Sequence, residues 1–275
     1  MLHRIVLASL DSTNKYVEEH IEELHPPTLV FAAQQKRGKG QGTNRWDSQL
    51  GDVTFTLFSG LGAIQVTSFF LISQIVSLEI VNLLEEFGVV ARIKWPNDIL
   101  VGLEKISGIL IRTQVEGSVF KSATIGIGLN IEKRFDSPKH YNPPATAVKN
   151  LVPDFSLSPM QVSDLLAERI LCAIEGYTVD KSQSIRAAYW ERMFRNQGMH
   201  PFLLRGVRVE ARITAVGQRT LTFDNARAAL NGATFRISTD LTNDKADKVV
   251  LNGVTGTGNQ YKLQIGFDPK MNDAE

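Results

Sequence analysis

A chain of 275 residues, with 43% hydrophobic and 21% charged residues, has the composition of an ordinary globular protein and can bury a sizeable core. Its 30 Lys and Arg residues balance 29 Asp and Glu residues, and the net charge of +1 gives no general attraction to nucleic acid or membranes. The single cysteine, Cys172, excludes an intrachain disulfide and any metal site that needs two thiolates.

The N-terminal part of the chain alternates between helix and strand signals. Its first apolar run is too short for a secretory signal. Asp11 and Ser12 are suited to cap the helix that follows them. An apolar, β-branched run predicts a buried strand at 28–33, and alternating residues predict a strand at 53–58. The intervening residues 36–51 contain several glycines among polar side chains, and this turn chemistry predicts a loop.

The longest apolar stretch lies at 66–87 and is followed by Gly88, a residue suited to end a helix. Gln74 and Glu79 interrupt this stretch, which therefore predicts a buried helix and not a membrane span. With no membrane segment and no secretory signal, the sequence predicts a cytoplasmic protein.

The middle of the chain combines strands with two later helices. Strand patterns occur at 91–95, 99–101, 106–115 and 119–131, and helix patterns at 158–174 and 183–194. Ser158 and Pro159 provide the cap and first position of the earlier helix. Cys172 falls in the amphipathic run of this helix and is expected to be a small buried hydrophobic residue.

After Gly198 short β-like pieces alternate with Gly, Asn and Asp. This change in texture predicts two domains, an α+β domain at 1–198 and a small β-barrel or sandwich at 199–275.

One segment concentrates glycines and cations, from Gln35 to Trp46. Its alternating glycines let backbone N–H groups approach an anion, and its Lys and Arg side chains can neutralise phosphate or carboxylate. A Gly/Lys run alone is more often a mobile surface loop, and a nucleic-acid loop is a third interpretation, weakened by the near-neutral chain.

Three further segments end or begin predicted strands. In Lys94–Asp98 a proline forces a turn that projects Asn97 and Asp98, which suits a nucleotide–metal assembly or, equally, a plain surface turn. Lys105 begins a buried strand whose Gly108 can mark close approach of a ligand. Gly126–Asn130 carries alternate glycines that leave room for a flat ligand, although helix packing is the commoner reason for such glycines.

Taken in order, these segments resemble the biotin–protein ligase family. The matches cover about residues 9–150 strongly and the helices to about 198 by pattern, and the pairing of the pentapeptide with the Gly-rich loop is specific. They are Asp11–Asn14 with the family's Ser-Thr-Asn motif, Gln35–Trp46 with its Gly-rich biotinyl-adenylate loop, Lys94–Asp98 with its signature pentapeptide unchanged, Lys105–Leu110 with Lys-x-x-Gly-Ile-Leu, Gly126–Asn130 with Gly-x-Gly-x-Asn, and Pro144–Thr146 with a Pro-x-Ala-Thr region.

The resemblance implies a biotin site and a nucleotide site. The implied biotin-binding residues are Ser12, Thr13, Asn14, Gln35, Gly38, Lys39, Gly40, Lys105 and Gly108. The implied ATP or adenylate residues are Gln41, Asn44, Trp46, Lys94, Asn97, Asp98 and Asn130, with Trp46 covering the adenine. The implied catalytic group comprises Lys105, Lys94, Asp98 and Lys39. Asp98 is the candidate ligand for Mg²⁺ held through phosphates, and by hypothesis it also accepts the proton of the target lysine.

The same resemblance implies the reaction and the architecture. ATP and biotin would give biotinyl-5'-AMP and pyrophosphate, and the biotin would pass to a lysine of a biotin carboxyl carrier protein of acetyl-CoA carboxylase or a related carboxylase. The fold would be α+β, a class II synthetase-like biotin–lipoate ligase domain with a mixed sheet, followed by a small SH3-like domain. Neither nucleic acid nor membrane is an expected partner, and the protein is expected to be a monomer or homodimer.

The chain departs from the family at several positions. Many relatives have Gly-Arg-Gly-Arg-x-Gly-Arg where residues 38–44 here include Lys39, Gln41 and Asn44. Lysine lacks the planar bidentate contact of arginine, and the other two side chains are uncharged, so weaker retention of the adenylate is expected. Arg112 stands where a Glu is frequent, and residues 199–275 match the family's small C-terminal domain poorly.

Three alternatives remain. A lipoate–protein ligase has related chemistry, but the intact pentapeptide and Trp46 argue against it. A transcriptional repressor would need an N-terminal helix-turn-helix, for which a motif starting at Asp11 is expected to leave no room. A non-catalytic biotin-binding regulator is the third alternative, because the loop has lost arginines.

Overall fold

The computed structural model describes residues 1–42, 44–62, 64–117, 119–132, 143–204, 207–216, 220–224, 235–239, 249–252 and 261–263. The chain divides into two compact units, Met1–Arg192 and Met193–Glu275. The functional division into a catalytic domain and an accessory domain stays a prediction.

The described residues of the first unit contain nine strands: β1 (His3–Leu7), β2 (Thr28–Ala32), β3 (Gly38–Lys39), β4 (Arg45–Trp46), β5 (Val53–Ser59), β6 (Arg92–Lys94), β7 (Asp98–Val101), β8 (Glu104–Glu116) and β9 (Val119–Leu129). Seven of them form one sheet in the order β1-β2-β5-β9-β8-β7-β6. The pair β1–β2 is parallel and the remaining neighbours are antiparallel, so the sheet is mixed as predicted.

The centre of this sheet is buried on both faces. Every residue of β2 and β5 is buried, including the alternate positions that a half-exposed strand would leave to solvent. The continuous apolar run that predicted β2 reflects that double burial, whereas β5 was predicted from alternation and its alternate threonines are buried as well.

Among the residues that the structure describes in this unit, five helices accompany the sheet: α1 (Thr13–Glu19), α2 (Phe69–Glu86), α3 (Val148–Leu151), α4 (Pro159–Glu175) and α5 (Ser182–Arg192). Ser12 caps α1 and Ser158 forms a capping box with Gln161 at the start of α4, as the sequence predicts for both helix starts. A 3-10 turn, Val66–Ser68, precedes α2, whose apolar side chains are largely buried. In the described part of the chain, no helix combines the length and apolarity needed to cross a membrane.

The prediction for Cys172 was wrong. The residue is exposed, because α4 buries the stripe formed by Leu166, Ile170 and Ile174, and Cys172 lies off that stripe. The amphipathic pattern identified the helix correctly, but a small side chain did not reveal which face it occupied.

The second unit contains six described strands: β10 (His200–Leu204), β11 (Val207–Val216), β12 (Thr220–Asp224), β13 (Phe235–Thr239), β14 (Val249–Asn252) and β15 (Tyr261–Leu263). Consecutive strands from β10 to β15 pair antiparallel and form a single sheet. The small β-rich C-terminal domain at 199–275 and its SH3-like barrel stay predictions. The sequence pattern predicts strands in this region at 207–216, 220–223, 234–238 and 261–265, and residues 234 and 265 lie outside the described residues.

Candidate functional site

A row of residues crosses the sheet where the sequence motifs meet. Lys94 pairs with Asp98, Asp98 with Gly108, Gly108 with Gly128, and Gly128 with Thr54. Residues directly opposite one another on neighbouring strands project to the same face. The row therefore places two charged side chains beside two positions that have no side chain.

The charged end of the row is a three-residue cluster. Lys105 Nζ lies 2.6 Å from Asp98 Oδ1, and Lys94 Nζ lies 3.3 Å from Asp98 Oδ2. Burial lowers the pKa of Lys94, against the opposing effect of Asp98, and the charge of Lys105 lowers that pKa further. The strands β6 and β8 that carry the lysines flank β7, which carries the carboxylate. Two cations thus face one carboxylate, which leaves the cluster able to receive an anion.

The glycine pair beside this cluster lies under Trp46. A side-chain carbon at Gly128 would overlap the indole, and one at Gly108 would lie 3.0 Å from Trp46 Cζ3. Lys105 Nζ lies 5.5 Å from the centroid of the Trp46 ring, within cation–π range. Of the two alternate glycines of β9 predicted to leave room for a flat ligand, only Gly128 lies under a flat group, and that group is an indole of the same chain; ligand binding there stays a prediction.

The Gly-rich segment reaches this position as a hairpin, whereas its turn chemistry predicted a loop. Gly38 pairs with Trp46 and Lys39 with Arg45, and the Gly40 N–H donates to the Asn44 carbonyl at 2.9 Å. A side chain at Gly38 would overlap the Trp46 carbonyl, so close pairing requires glycine there. Gly40 therefore uses its N–H within the hairpin, not on an anion, in this conformation. Gln41 lies in the turn, and Thr43 lies outside the described residues.

A second group of candidate residues forms a buried polar network. Gln35 Oε1 accepts from the Thr13 backbone N–H at 2.7 Å and from the Thr13 hydroxyl at 3.2 Å. The Thr56 hydroxyl lies 2.8 Å from both Thr13 Oγ1 and Asn14 Oδ1, and the Asn14 amide donates to the Leu110 carbonyl at 3.3 Å. Sequence analysis missed Thr56, although a fully buried hydroxyl in a strand beside Thr13 has to find a polar partner.

Gly126 makes this network possible. A side-chain carbon at Gly126 would overlap the carboxamide of Asn14. The two alternate glycines of β9 therefore serve different neighbours, with Gly126 accommodating α1 and Gly128 accommodating Trp46. Helix packing, the common reason for strand glycines, applies to one of the two positions.

Three other candidate residues bond mainly to backbone. The Ser12 hydroxyl accepts from the Lys15 N–H at 3.5 Å and caps α1. The Asn97 amide donates to the Ile109 carbonyl at 3.0 Å, and the Asn130 amide donates to the Thr146 carbonyl at 2.9 Å and the Lys105 carbonyl at 3.4 Å.

Through these hydrogen bonds Asn97 and Asn130 hold β8 in position. The segment after Pro144 adds to the brace, since Thr146 N–H donates to the Lys105 carbonyl at 3.0 Å. The start of β8, and with it the position of Lys105, is therefore fixed from both sides. Contacts of Asn97 and Asn130 with a nucleotide stay predictions.

Lys39 contacts helix α1. Its Nζ lies 3.6 Å from Glu18 Oε2, and the other carboxylate oxygen of Glu18 lies 2.7 Å from Arg112 NH1. No sequence motif pointed to Glu18, because both of its partners are remote along the chain.

Comparisons with known proteins agree on one family. The model of the biotin/lipoate A/B protein ligase family matches residues 6–130. The bifunctional ligase/repressor BirA of Bacillus subtilis is 33% identical over 134 residues, which are 48% of this chain and 41% of that protein. The biotin–[acetyl-CoA-carboxylase] ligase of Paracoccus denitrificans is 29% identical over 130 residues, 46% of this chain and 53% of that protein.

A solved structure extends the likeness beyond the matched sequence. The biotin protein ligase of Aquifex aeolicus in complex with biotin and ATP aligns with a TM-score of 0.66 and 18% identity, over 86% of this chain and 99% of that one. This likeness shows a shared fold. The sequence matches themselves span 41% and 53% of the two curated relatives described above.

Proposed function

We propose that the chain is a biotin–protein ligase, from the premise that residues 6–130 match the model of the biotin/lipoate A/B protein ligase family. In the first step the biotin carboxylate attacks the α-phosphorus of ATP, which gives biotinyl-5'-AMP and releases pyrophosphate. In the second step a lysine amine of a biotin carboxyl carrier domain attacks the acyl carbon, and AMP leaves with the bonding electron pair.

The observation that carries this proposal is the lysine–carboxylate cluster beside the glycine row. An acyl-adenylate combines an anionic phosphate with a flat base. The cluster of Lys94, Asp98 and Lys105 suits the anion, and the surface over Gly108 and Gly128 suits a flat group. The same region therefore offers both kinds of contact that the intermediate needs.

Lys105 is the residue best placed to assist the first step. Two anions, a carboxylate and a triphosphate, have to approach each other, and negative charge redistributes as the new bond forms. An ammonium group has three donors, so Lys105 can keep its contact with Asp98 and still donate to a substrate oxygen. Lys94 adds a second positive charge on the far side of Asp98.

The buried polar network is the proposed site for the biotin ring. A ureido group needs a few fixed donors and acceptors within an apolar slot. Thr13 holds the carbonyl oxygen of Gln35, which leaves the Gln35 amide nitrogen in a fixed direction as a donor. Ser12, Asn14, Gly38 and Gly40 complete the proposed surroundings of the ring.

Magnesium fits this site as an ion that arrives with the nucleotide. Within the described ranges, no group of three or more His, Cys, Asp or Glu residues is placed to hold a metal. Magnesium is commonly bound by one or two carboxylates together with phosphates and water, and Asp98 is the carboxylate in the cluster. Bound there with ATP, the ion would neutralise phosphate charge and assist the departure of pyrophosphate.

The proposed partner is the biotin carboxyl carrier protein of acetyl-CoA carboxylase or a related carboxylase. Its lysine brings the nucleophile, so the ligase has to supply only a protected acyl-adenylate and a proton acceptor. Asp98 is the hypothesised acceptor. A monomer and a homodimer are both compatible with this scheme.

Three measurements test the proposed function. The chain incubated with ATP, biotin and a carrier domain should make the carrier reactive to streptavidin, and a carrier whose target lysine is changed to arginine should stay unreactive. Pyrophosphate release should depend on biotin and not on lipoate. A Lys105→Met variant should release pyrophosphate about 100-fold more slowly.

The alternatives give different results in the same assays. Pyrophosphate release that depends on lipoate alone would identify a lipoate–protein ligase. Tight biotin binding without pyrophosphate release would identify a non-catalytic regulator. Either result would contradict the proposal.

A further inference from the structure

Helix α1 follows strand β8 across the candidate site. The Asn14 amide donates to the Leu110 carbonyl, and one helical turn later Glu18 meets Arg112, two residues further along the strand. Gly108, Leu110 and Arg112 alternate along β8 and so share a face. The contact between Glu18 and Arg112 therefore lies on the face of β8 that carries the rest of the site.

Glu18 is shared by two cations from different elements. Its Oε1 lies 2.7 Å from Arg112 NH1 on β8, and its Oε2 lies 3.6 Å from Lys39 Nζ on the Gly-rich hairpin. The Glu18 side chain is 29% exposed, less than Lys39 at 39% and Arg112 at 45%. The contact with Lys39 is the longer one, and it is the contact that can be given up first.

Lys39 can serve only one anion well. While its ammonium group pairs with Glu18, its charge is partly neutralised and less available to a ligand carboxylate or phosphate. An anionic ligand has to compete with Glu18 for this cation. Glu18 is thus a competitor placed beside the hairpin that carries Trp46.

Arg112 acts in the opposite direction. It keeps one oxygen of Glu18 paired after Lys39 leaves, so the half-buried carboxylate is not left without a partner. Its positive charge also reduces the attraction of Glu18 for Lys39. Release of Lys39 is therefore easier with Arg112 present than without it.

We propose that Glu18 and Arg112 are a pair of positioning residues with opposite effects on anion binding, in which Glu18 withholds Lys39 from the ligand and Arg112 eases its release. This inference rests on the proposed function, since the anion in question is the biotin carboxylate or the acyl-adenylate. Neither residue is required to touch the ligand.

The test compares the dissociation constant of biotin with that of the uncharged biotin amide, measured by calorimetry on the full chain. Glu18→Gln should tighten biotin binding and Arg112→Gln should weaken it, each by about two- to fivefold, the range of an exposed ion pair. The amide should bind alike in all variants. In a Lys39→Met background both effects on biotin should vanish.

A second readout separates positioning from structural damage. In pyrophosphate release the two substitutions should move the KM for biotin in opposite directions and leave kcat nearly unchanged. A loss of fold would move both variants the same way. The matched control is Glu19→Gln, which removes a carboxylate of the same helix that pairs with Lys15 at 3.4 Å, and it should leave biotin affinity unchanged.

The outcomes distinguish this inference from the proposed function. A wild-type chain that binds neither biotin nor its amide would overturn both. A wild-type chain that binds biotin, with Glu18→Gln and Arg112→Gln shifting its affinity in the same direction or not at all, would overturn the inference and leave the proposed function standing.

Discussion

Replacing Gly126 by alanine tests the junction between α1 and the sheet. The added carbon would overlap the carboxamide of Asn14, which is buried and hydrogen-bonded to Leu110 and Thr56. Overpacking of a buried site costs about 1–3 kcal/mol. A displacement of Asn14 that breaks one of these two hydrogen bonds adds about 1 kcal/mol. We therefore expect Gly126→Ala to lower the free energy of unfolding by about 2–4 kcal/mol.

A double-mutant cycle identifies the cause of that loss. Asn14→Ala alone should cost about 1–3 kcal/mol through its lost hydrogen bonds. Because it also removes the group that the new carbon would meet, Gly126→Ala in the Asn14→Ala background should cost little more. The coupling free energy should therefore nearly equal the cost of Gly126→Ala alone, about 2–4 kcal/mol.

Urea unfolding followed by tryptophan fluorescence provides the measurement, because the three tryptophans, Trp46, Trp95 and Trp190, all lie in the first unit. Gly60→Ala is the matched control, since a side chain there meets nothing within 4 Å. It should change stability by less than about 1 kcal/mol. Additive losses in the cycle would refute the contact between Gly126 and Asn14 as the cause.

Four further predictions use other features. Tyr189 is 1% exposed, and its hydroxyl has no hydrogen-bond partner in the described part of the chain. In thermal unfolding, Tyr189→Phe should therefore leave the free energy of unfolding unchanged or raise it by about 1 kcal/mol. A clear loss of stability would reveal a hydrogen-bond partner. Burial raises the pKa of Asp52 above its ordinary value of 3.8, despite backbone donors that lower it. The contribution of Asp52 to the free energy of unfolding is therefore complete below the pKa that Asp52 has in the unfolded chain, and it declines as the pH rises through the higher pKa that Asp52 has in the folded protein. Urea titrations over this pH range should show the wild type losing stability relative to Asp52→Asn. Asp98→Asn should slow transfer from preformed biotinyl-adenylate about 100-fold if the carboxylate accepts the lysine proton, and an unchanged rate removes that role. Gln41→Arg should slow release of the adenylate, measured by rapid dilution, because an added guanidinium can pair with phosphate; equal rates would contradict this.

Local rules predicted most of the elements of the first unit. Ser12 and the Ser158–Gln161 capping box mark helix starts that depend on neighbouring residues alone. Strand β2 carries a continuous apolar run that follows from burial on both faces, whereas β5 alternates apolar residues with threonines that are buried too. By contrast, β1 was not predicted, because its polar first residues resemble a terminus and its pairing with β2 is decided at a distance.

Within the site, side-chain destinations were harder to predict than residue identities. The sequence singled out Lys94, Asp98 and Lys105, and the structure brings them together. Asn97 and Asn130 were assigned to a nucleotide, yet their amides donate to backbone carbonyls of other segments. A carboxamide suits either partner, so only the approach of other segments decides which one it takes.

The hairpin β3–β4 illustrates the same limit. Its strands contain two residues each, too few for a period to be visible in the sequence. The strands β3 and β4 are held in place because Trp46 packs against Gly108 and Gly128, two positions far along the chain. The glycines of the loop signalled close backbone approach, but their partner was the opposite hairpin strand.

The packing of Trp46 against Gly108 and Gly128 also determines how a flat ligand can bind there. A planar ligand and the indole cannot lie on the same two glycines, so arrival of one requires departure of the other. The exchange replaces one ring by another and leaves the amount of apolar surface hidden from water almost the same, so stacking contributes little net affinity. Selectivity among flat ligands then depends on the cluster of Lys94, Asp98 and Lys105. A neutral ring gains no binding energy from this cluster, whereas a ring joined to phosphate does.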